Sequence, residues 1–191
     1  LVATNPTTWF ERHPLYITTT DNRIVEIQAE IATRARINEV PMRTVVRDAD
    51  GTVVYTSTKN VPINRKWRTM ELKTDSFVVE NPRLWSCETP HLYTASVAIL
   101  DAEGAVMDSV AHTFGIRTIE FSPEFGMKLN GEKVILKGIA NHHTLGALGA
   151  AAYPRAIEKR LQLLKEYGFN HIRTSHNPYS KSFMELCDKH G

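Results

Sequence analysis

Alternation of apolar and polar residues dominates the first two thirds of the chain. Over Arg23–Thr33, Val25, Ile27, Ala29 and Ile31 fall on one face, while Ile24, Glu26, Gln28 and Glu30 fall on the other. Successive side chains of a strand point to opposite faces, so this run predicts a half-buried β-strand. Leu15–Thr20, rich in Thr and Ile, predicts the strand before it. Met42–Arg47 and Val53–Thr56 flank Asp48-Ala49-Asp50-Gly51. Leu92–Leu100 and Ala105–Phe114 flank Asp101-Ala102-Glu103-Gly104 in the same way, and both tetrapeptides read as hairpin turns closed by Gly. Trp67–Leu72 alternates again. No segment before residue 120 repeats at 3.6 residues. About seven short strands in this stretch predict an antiparallel, immunoglobulin-like sandwich over 1–120, without the Cys…Trp…Cys spacing of antibody domains.

After Phe121 the pattern changes. Phe125–Leu129 and Lys133–Leu136 flank Asn130-Gly131, a strong two-residue hairpin signal, and the second strand is expected to run on to Ile139. A loop of small residues, Leu145–Ala152, follows. Ile157, Leu161, Leu164 and Tyr167 then recur at helical spacing behind Pro154, and Gly168 stands where a helix C-cap belongs. Phe169–Arg173 predicts a short strand and Ser175–Tyr179 a loop. A second helix is expected over Phe183–Lys189, with Ser182 and Glu185 as a capping box. The two strands begin about 35 residues apart, the size of one βαβ unit, so they should be parallel neighbours. The fold class is therefore mixed: an all-β immunoglobulin-like sandwich, then over 121–191 the first two β/α units of an incomplete (β/α)8 barrel. Two such units leave a parallel sheet with open edges, which points to part of a larger α/β protein.

Composition narrows the function classes. The chain has 191 residues, 42% hydrophobic and 23% charged, with a net charge of +2. That is ordinary globular composition, and the charge argues against a nucleic-acid partner. No apolar run approaches the ~18 residues that a membrane helix needs, which argues against a membrane partner. Cys87 and Cys187 stand far apart and read as buried free thiols, with no disulfide framework. The chain begins with Leu1, no signal peptide is visible, and the compartment, cytoplasmic or periplasmic, stays open. Oligomeric state is equally open, with a homo-oligomer admitted.

Candidate chemistry collects at two points. Asn141-His142-His143 follows the first predicted parallel strand. Arg173 ends the second, and Ser175-His176-Asn177 follows it. The carboxyl ends of parallel strands are where α/β barrels and open α/β sheets place their sites. His142 and His143 are adjacent, so on extended backbone they point apart and cannot both face one ligand. A metal centre is disfavoured, because inward-facing ligands on one strand need alternate positions and no acid lies near in sequence before Glu158. Gly146-Ala147-Leu148-Gly149 matches neither a phosphate loop nor a dinucleotide fingerprint.

These residues also carry a resemblance. Leu129-Asn130-Gly131, Leu136-Lys137-Gly138-Ile139 and His142-His143 resemble the start of the catalytic barrel of glycoside hydrolase family 2. The run Gly168-Phe169-Asn170-His171-Ile172-Arg173-Thr174-Ser175-His176-Asn177-Pro178 is similar to that family's second βα unit. Asn81-Pro82-Arg83-Leu84-Trp85, Pro90-His91-Leu92-Tyr93 and Phe114-Gly115-Ile116-Arg117 resemble the end of its immunoglobulin-like domain. The nearest likeness within the family is to β-galactosidase-type members of gut Bacteroides-like bacteria. Many of those carry an acid after the histidine pair, where this chain has Thr144.

The resemblance implies a retaining β-glycosidase, most closely a β-galactosidase, with β-glucuronidase and β-mannosidase as alternatives and a β-linked carbohydrate as substrate. It implies that His142 touches sugar hydroxyls, that Arg173 helps hold the nucleophile carboxylate and that His176 also lines the sugar subsite. It places His143 and Asn177 at the subsite or just behind it. No catalytic residue and no metal ligand or cofactor is assigned within these 191 residues. The family's acid/base and nucleophile glutamates, and its magnesium ligands, belong to later barrel strands. The only Asn-Glu pair here is Asn38-Glu39, in the sandwich. The 191-residue chain by itself is therefore expected to be inactive. A carbohydrate-binding module is the reading from a different class, and it would call for exposed tryptophans. Trp9, Trp67 and Trp85 are instead expected in the core.

Overall fold

A computed structural model describes residues 5–63 and 69–191. The chain forms two compact units, Leu1–Arg83 with Tyr93–Ile116, and Leu84–Leu92 with Arg117–Gly191.

The first unit is built from β1 (Thr8–Thr20), β2 (Ile24–Thr33), β3 (Glu39–Arg47), β4 (Val53–Pro62), β5 (Thr69–Val78), β6 (Tyr93–Leu100) and β7 (Val106–Phe114). They form two antiparallel sheets, ordered β1-β2-β5 and β4-β3-β6-β7. The period-two reading holds at the level of side chains. Val25, Ile27, Ala29 and Ile31 of β2 are buried, as are Val40, Met42 and Val46 of β3 and Ala95, Val97 and Ile99 of β6. The two Gly-closed turns share one device. Asp48 Oδ1 accepts from the backbone N–H of Asp50 and Thr52, and Asp101 Oδ1 accepts from Glu103 and Ala105. Gly51 and Gly104 then take positive φ, 84° and 85°, which a residue with a Cβ adopts only under strain. The turn between β1 and β2 gave no glycine signal. Asp21 and Asn22 make it, both in the left-handed region.

One polar group breaks the apolar interior. The register between β2 and β5 shifts at Ile27/Gln28, where Thr74 is the extra residue, and Thr74 and Asp75 are both buried. A bulge re-aims the side chains around it. Asp75 Oδ2 accepts from Thr44 Oγ1 at 2.5 Å, and Oδ1 accepts from Tyr55 OH and Ser57 Oγ at 2.8 Å each. Lys59 Nζ lies 2.9 Å from the same Oδ1. These donors sit on β3 and β4, so one carboxylate ties the edge of one sheet to the other. Burial by itself raises the Asp75 pKa, but the bonds from Thr44, Lys59, Ser57 and Tyr55 outweigh it and hold the carboxyl below its ordinary range. Tyr55 is pushed up, by burial first and then by its bond to Asp75. Trp67 lies outside the described residues. Trp9, expected in the core, is half-buried with Arg34 5.3 Å from its ring centroid.

The second unit opens with β8 (Ile119–Ser122), β9 (Gly126–Leu129) and β10 (Glu132–Val134), an antiparallel meander. Asn130 and Gly131, φ 54° and 85°, form the hairpin turn between β9 and β10. Asn130 Nδ2 also donates to Trp85 O at 3.0 Å. Trp85 is buried beside Leu129 and Cys87, its Nε1 donates to Asp188 O at 2.7 Å, and Arg117 lies 4.3 Å from its ring. The strand expected to run from Val134 to Ile139 is broken. β10 ends at Val134, and β11 is only Gly138–Ala140. Between them the side chain of Asn170 takes the ladder's place, accepting from Lys137 N at 2.8 Å and donating to Ile135 O at 3.1 Å. β11 pairs in parallel with β12 (His171–Arg173), with Gly138 opposite His171. A Cβ at Gly138 would lie 2.7 Å from the His171 ring, so a larger residue there would have to displace that exposed side chain.

Helix α1 (Pro154–Glu166) connects the two strands, and α2 (Lys181–His190) follows. Ile157 and Leu161 of α1 pack with Phe183 of α2. After α1 the N–H of Phe169 bonds Leu164 O and that of Gly168 bonds Lys165 O, a Schellman closure. Phe169 is committed to that closure, so β12 starts two residues later than expected. The second helix starts earlier than expected. Its cap is Ser180, whose Oγ accepts from Phe183 N at 3.3 Å, while Ser182 lies inside the first turn and hydrogen-bonds Ser180.

Replacing Asp75 by Asn leaves several donors without a charged acceptor. Asp75→Asn is expected to lower unfolding free energy in urea at pH 7 by about 3 kcal/mol, the scale of a broken buried pair. Because the folded pKa is depressed, the carboxylate's contribution is complete above the unfolded value of about 3.9 and is lost as pH falls through the lower folded value. The gap between wild type and variant should therefore narrow below about pH 4. A gap that stays constant down to pH 2 contradicts this account.

Candidate active site

The paired strands end at one residue. Asn141, directly after β11, is buried. Its N–H donates to Arg173 O at 2.9 Å, extending the parallel ladder by one bond. Its carbonyl accepts from Ser175 Oγ at 2.8 Å and Tyr179 OH at 2.5 Å, and its Oδ1 accepts from Arg160 Nη1 at 2.8 Å. The backbone after each strand is thereby satisfied by side chains, since neither strand continues. Ser175 takes φ 48°, a left-handed conformation that turns the chain sharply after β12.

These constraints separate the two adjacent histidines. The His142 ring lies 6.0 Å from that of His176, tilted by 59°. The His143 ring stacks on Tyr179 at 4.2 Å, and Tyr179 meets Phe183 at 4.3 Å. His142, Arg173, His176 and Asn177 are exposed and His143 is half-buried. His142 and His176 are thus brought together from two different βα loops, whereas His143 is turned away onto an aromatic support. Arg173 ends β12 opposite Ala140, and Asn177 lies one residue beyond His176. A small cleft of about 30 Å³ adjoins the group, lined by Asn141, His142, His143, Arg160 and Tyr179 among others. A larger groove of about 250 Å³ is lined by Trp85, Leu161, Leu164, Phe169 and Cys187, and none of the predicted site residues faces it. Its walls are mostly apolar, with Arg117, Lys165, Asp188 and His190 also lining it, so the polar cluster at the strand ends is the better candidate for chemistry.

Sequence reasoning missed Arg160 and Tyr179. The signal for Arg160 was its place three residues after Ile157, on the flank of the apolar stripe of α1, where a solvated arginine has no reason to be half-buried. Tyr179 sits at the end of a loop and gave no periodic signal.

The arrangement offers imidazoles and a guanidinium to a ligand, groups that hydrogen-bond hydroxyls and carboxylates. No acid stands at the end of β11 or β12, and Glu158, Glu166, Glu185 and Asp188 all lie on α1 and α2. Glu158 faces Lys189 at 2.7 Å and His190 at 3.0 Å, whose hydrogen bonds hold its pKa down. Among the described residues no three His, Cys, Asp or Glu side chains gather closely enough to hold a metal ion. No described helix is long and apolar enough to cross a membrane. Both cysteines are free thiols, Cys87 buried and Cys187 half-buried. Burial pushes the Cys187 thiol up to about 11 and that of Cys87 in the same direction, so neither is an activated nucleophile.

Comparison with known proteins supplies the rest. Residues 7–117 match the model of the glycosyl hydrolases family 2, and residues 124–191 match that of the family 2 TIM barrel domain. Beta-galactosidase BoGH2A of Bacteroides ovatus is 43% identical over 118 residues, covering 62% of this chain and 14% of that protein. The crystal structure of a family 2 glycosyl hydrolase from Bacteroides cellulosilyticus matches with a TM-score of 0.85 and 33% identity, over 95% of this chain and 25% of that one. The crystal structure of a Bacteroides uniformis β-glucuronidase matches with a TM-score of 0.85 and 27% identity, over 97% and 23%. The chain thus spans a quarter or less of each of these relatives.

Tyr179 has two separable roles in holding the loops. Tyr179→Phe keeps the stack on His143 and is expected to lower stability by about 1 kcal/mol, the net value of a buried hydrogen bond. Tyr179→Leu removes the stack as well and should cost a further ~1 kcal/mol. Equal urea midpoints for the two variants would show that the stack contributes nothing.

Proposed function

The chain belongs to the glycosyl hydrolases family 2, and from that premise we propose that the protein carrying it is a retaining β-glycosidase acting on β-galactosides. The observation that supports this most is the convergence of His142 and His176, with Arg173, at the carboxyl ends of two paired parallel strands. That is the catalytic face of a β/α barrel. The 43% identity to a β-galactosidase favours galactose as the sugar. The likeness to a β-glucuronidase structure keeps glucuronides as the second reading.

In a retaining glycosidase one carboxylate attacks the anomeric carbon while a second carboxylic acid protonates the leaving oxygen. The two lie about 5–5.5 Å apart, and water then releases the sugar from the covalent intermediate. Neither carboxyl is assigned among these 191 residues, so both come from elsewhere in the longer protein. The residues present supply binding and positioning. His142 and His176 hydrogen-bond sugar hydroxyls, and such bonds accelerate the reaction to the extent that they strengthen in the transition state. Arg173 holds the nucleophile carboxylate ionised, since a neighbouring cation favours the charged form. His143, stacked on Tyr179, sits behind this layer, and Asn177 lies exposed at its edge. A carbohydrate-binding role without catalysis is the remaining alternative.

Hydrolysis of 4-nitrophenyl β-galactoside, with the glucuronide and mannoside in parallel, tests the reading. The full-length protein should cleave the galactoside, and the 191-residue chain should cleave none of the three. His142→Ala and His176→Ala in the full-length enzyme should each lower kcat/KM by roughly 10- to 100-fold, the loss of one or two strong hydrogen bonds. Wild-type activity in both variants overturns the site assignment. Sugar binding without turnover by the full-length protein would favour the binding module.

A further inference from the structure

Arg160 stands half-buried on the flank of α1. Its Nη1 donates to Asn141 Oδ1 at 2.8 Å and to His142 O at 3.3 Å, and its Nη2 donates to Thr144 O. One guanidinium thus engages three acceptors from four consecutive residues, and two of them are the carbonyls on either side of His143. This stretch follows β11 without regular structure, so its carbonyls have no ladder partner. A planar, permanently charged fork suits the task, because it presents several donors in fixed directions. The path of this backbone decides where two adjacent imidazoles go. On the path observed, His142 meets His176 and His143 lies on Tyr179.

We infer that Arg160 is a positioning residue of the glycosidase site, holding the backbone of residues 141–144 so that His142 is presented beside His176 while His143 stays on its aromatic support. The inference rests on the glycosidase reading above. It adds to that reading a residue with no direct role toward substrate. Lys165, on the same helix, provides the internal comparison. Its Nζ also bonds two backbone carbonyls, Cys87 O at 2.6 Å and Gly191 O at 2.8 Å, neither of them in the histidine segment.

The test uses the full-length protein with Arg160→Ala, Arg160→Lys and Lys165→Ala. Each is followed by thermal melting and by kcat/KM on the glycoside that the wild type cleaves. Arg160→Ala, assayed where melting shows it folded, should lose about 10²-fold in kcat/KM, the scale of a roughly 1 Å misplacement of binding groups. Added millimolar guanidinium should restore part of that loss. Arg160→Lys should fall in between, since one ammonium cannot span three acceptors. Lys165→Ala should lower the melting temperature and leave kcat/KM within about twofold, because its bonds only join scaffold elements. A folded Arg160→Ala with wild-type kcat/KM overturns the inference, as do equal losses in Arg160→Ala and Lys165→Ala or a loss that guanidinium does not relieve. Should Arg160→Ala fail to fold, Arg160→Lys decides, with wild-type kcat/KM or failure to fold both counting against a positioning role. A wild-type protein inactive on all three glycosides overturns the glycosidase reading itself. An active wild type with an indifferent Arg160 overturns only this inference.

Discussion

The parallel pairing of β11 with β12 spans only three residues on each strand, and the geometry of the candidate site depends on what secures its ends. At the amino end the side chain of Asn170 replaces the missing ladder partners of residues 135–137. At the carboxyl end Asn141 is itself held, its N–H donating to Arg173 O while its carbonyl and amide oxygen accept from Ser175, Tyr179 and Arg160. Two asparagines therefore bracket the pair. The side chain of Asn170 is suited to its place because an amide donates and accepts like the peptide group it replaces. Without its partners the buried Asn141 would leave polar groups unpaired, which costs more than the bonds themselves contribute.

The site inherits its order from that bracket. Arg160, Ser175 and Tyr179 converge on the Asn141–Thr144 segment from α1 and from the loop after β12. The exposed His142 and His176 are then presented by backbone that is itself bonded, which is the usual way to hold binding groups in place. The sandwich solves a different problem. Its strands are long and its apolar faces suffice to hold the two sheets, yet one edge is sealed by a buried carboxylate with donors from β3 and β4. With both oxygens engaged, this buried carboxylate joins the two sheets through specific partners on β3 and β4.

Much of the fold was legible because its signals are local. Alternation over β2 placed Val25, Ile27, Ala29 and Ile31 inside. Asp48–Gly51, Asp101–Gly104 and Asn130-Gly131 are turns whose chemistry resides in the turn residues themselves. Pro154 and Gly168 bracket α1 for the same reason. At the site, the polar residues after the two parallel strands could be named from the chain, as could the divergence of two adjacent histidines. The break after Val134, the start of α2 at Ser180 and the half-burial of Trp9 could not. Each is decided by a competitor for a backbone group, or by cover over a side chain, that comes from elsewhere in the chain.

By itself, then, the sequence determined the alternating strands of the sandwich, the Gly-containing turns and the list of polar residues at the strand ends. Those follow from periodicity and from side chains bonding their own neighbouring backbone. Only the tertiary structure decided that Asp75 is buried under Thr44, Tyr55, Ser57 and Lys59, and that Arg160 reaches back to the segment carrying the histidines. These are contacts between residues at least 16 positions apart. No pattern along the chain marks which donors will meet a given acceptor, because the partner is chosen by the packing of elements and not by spacing.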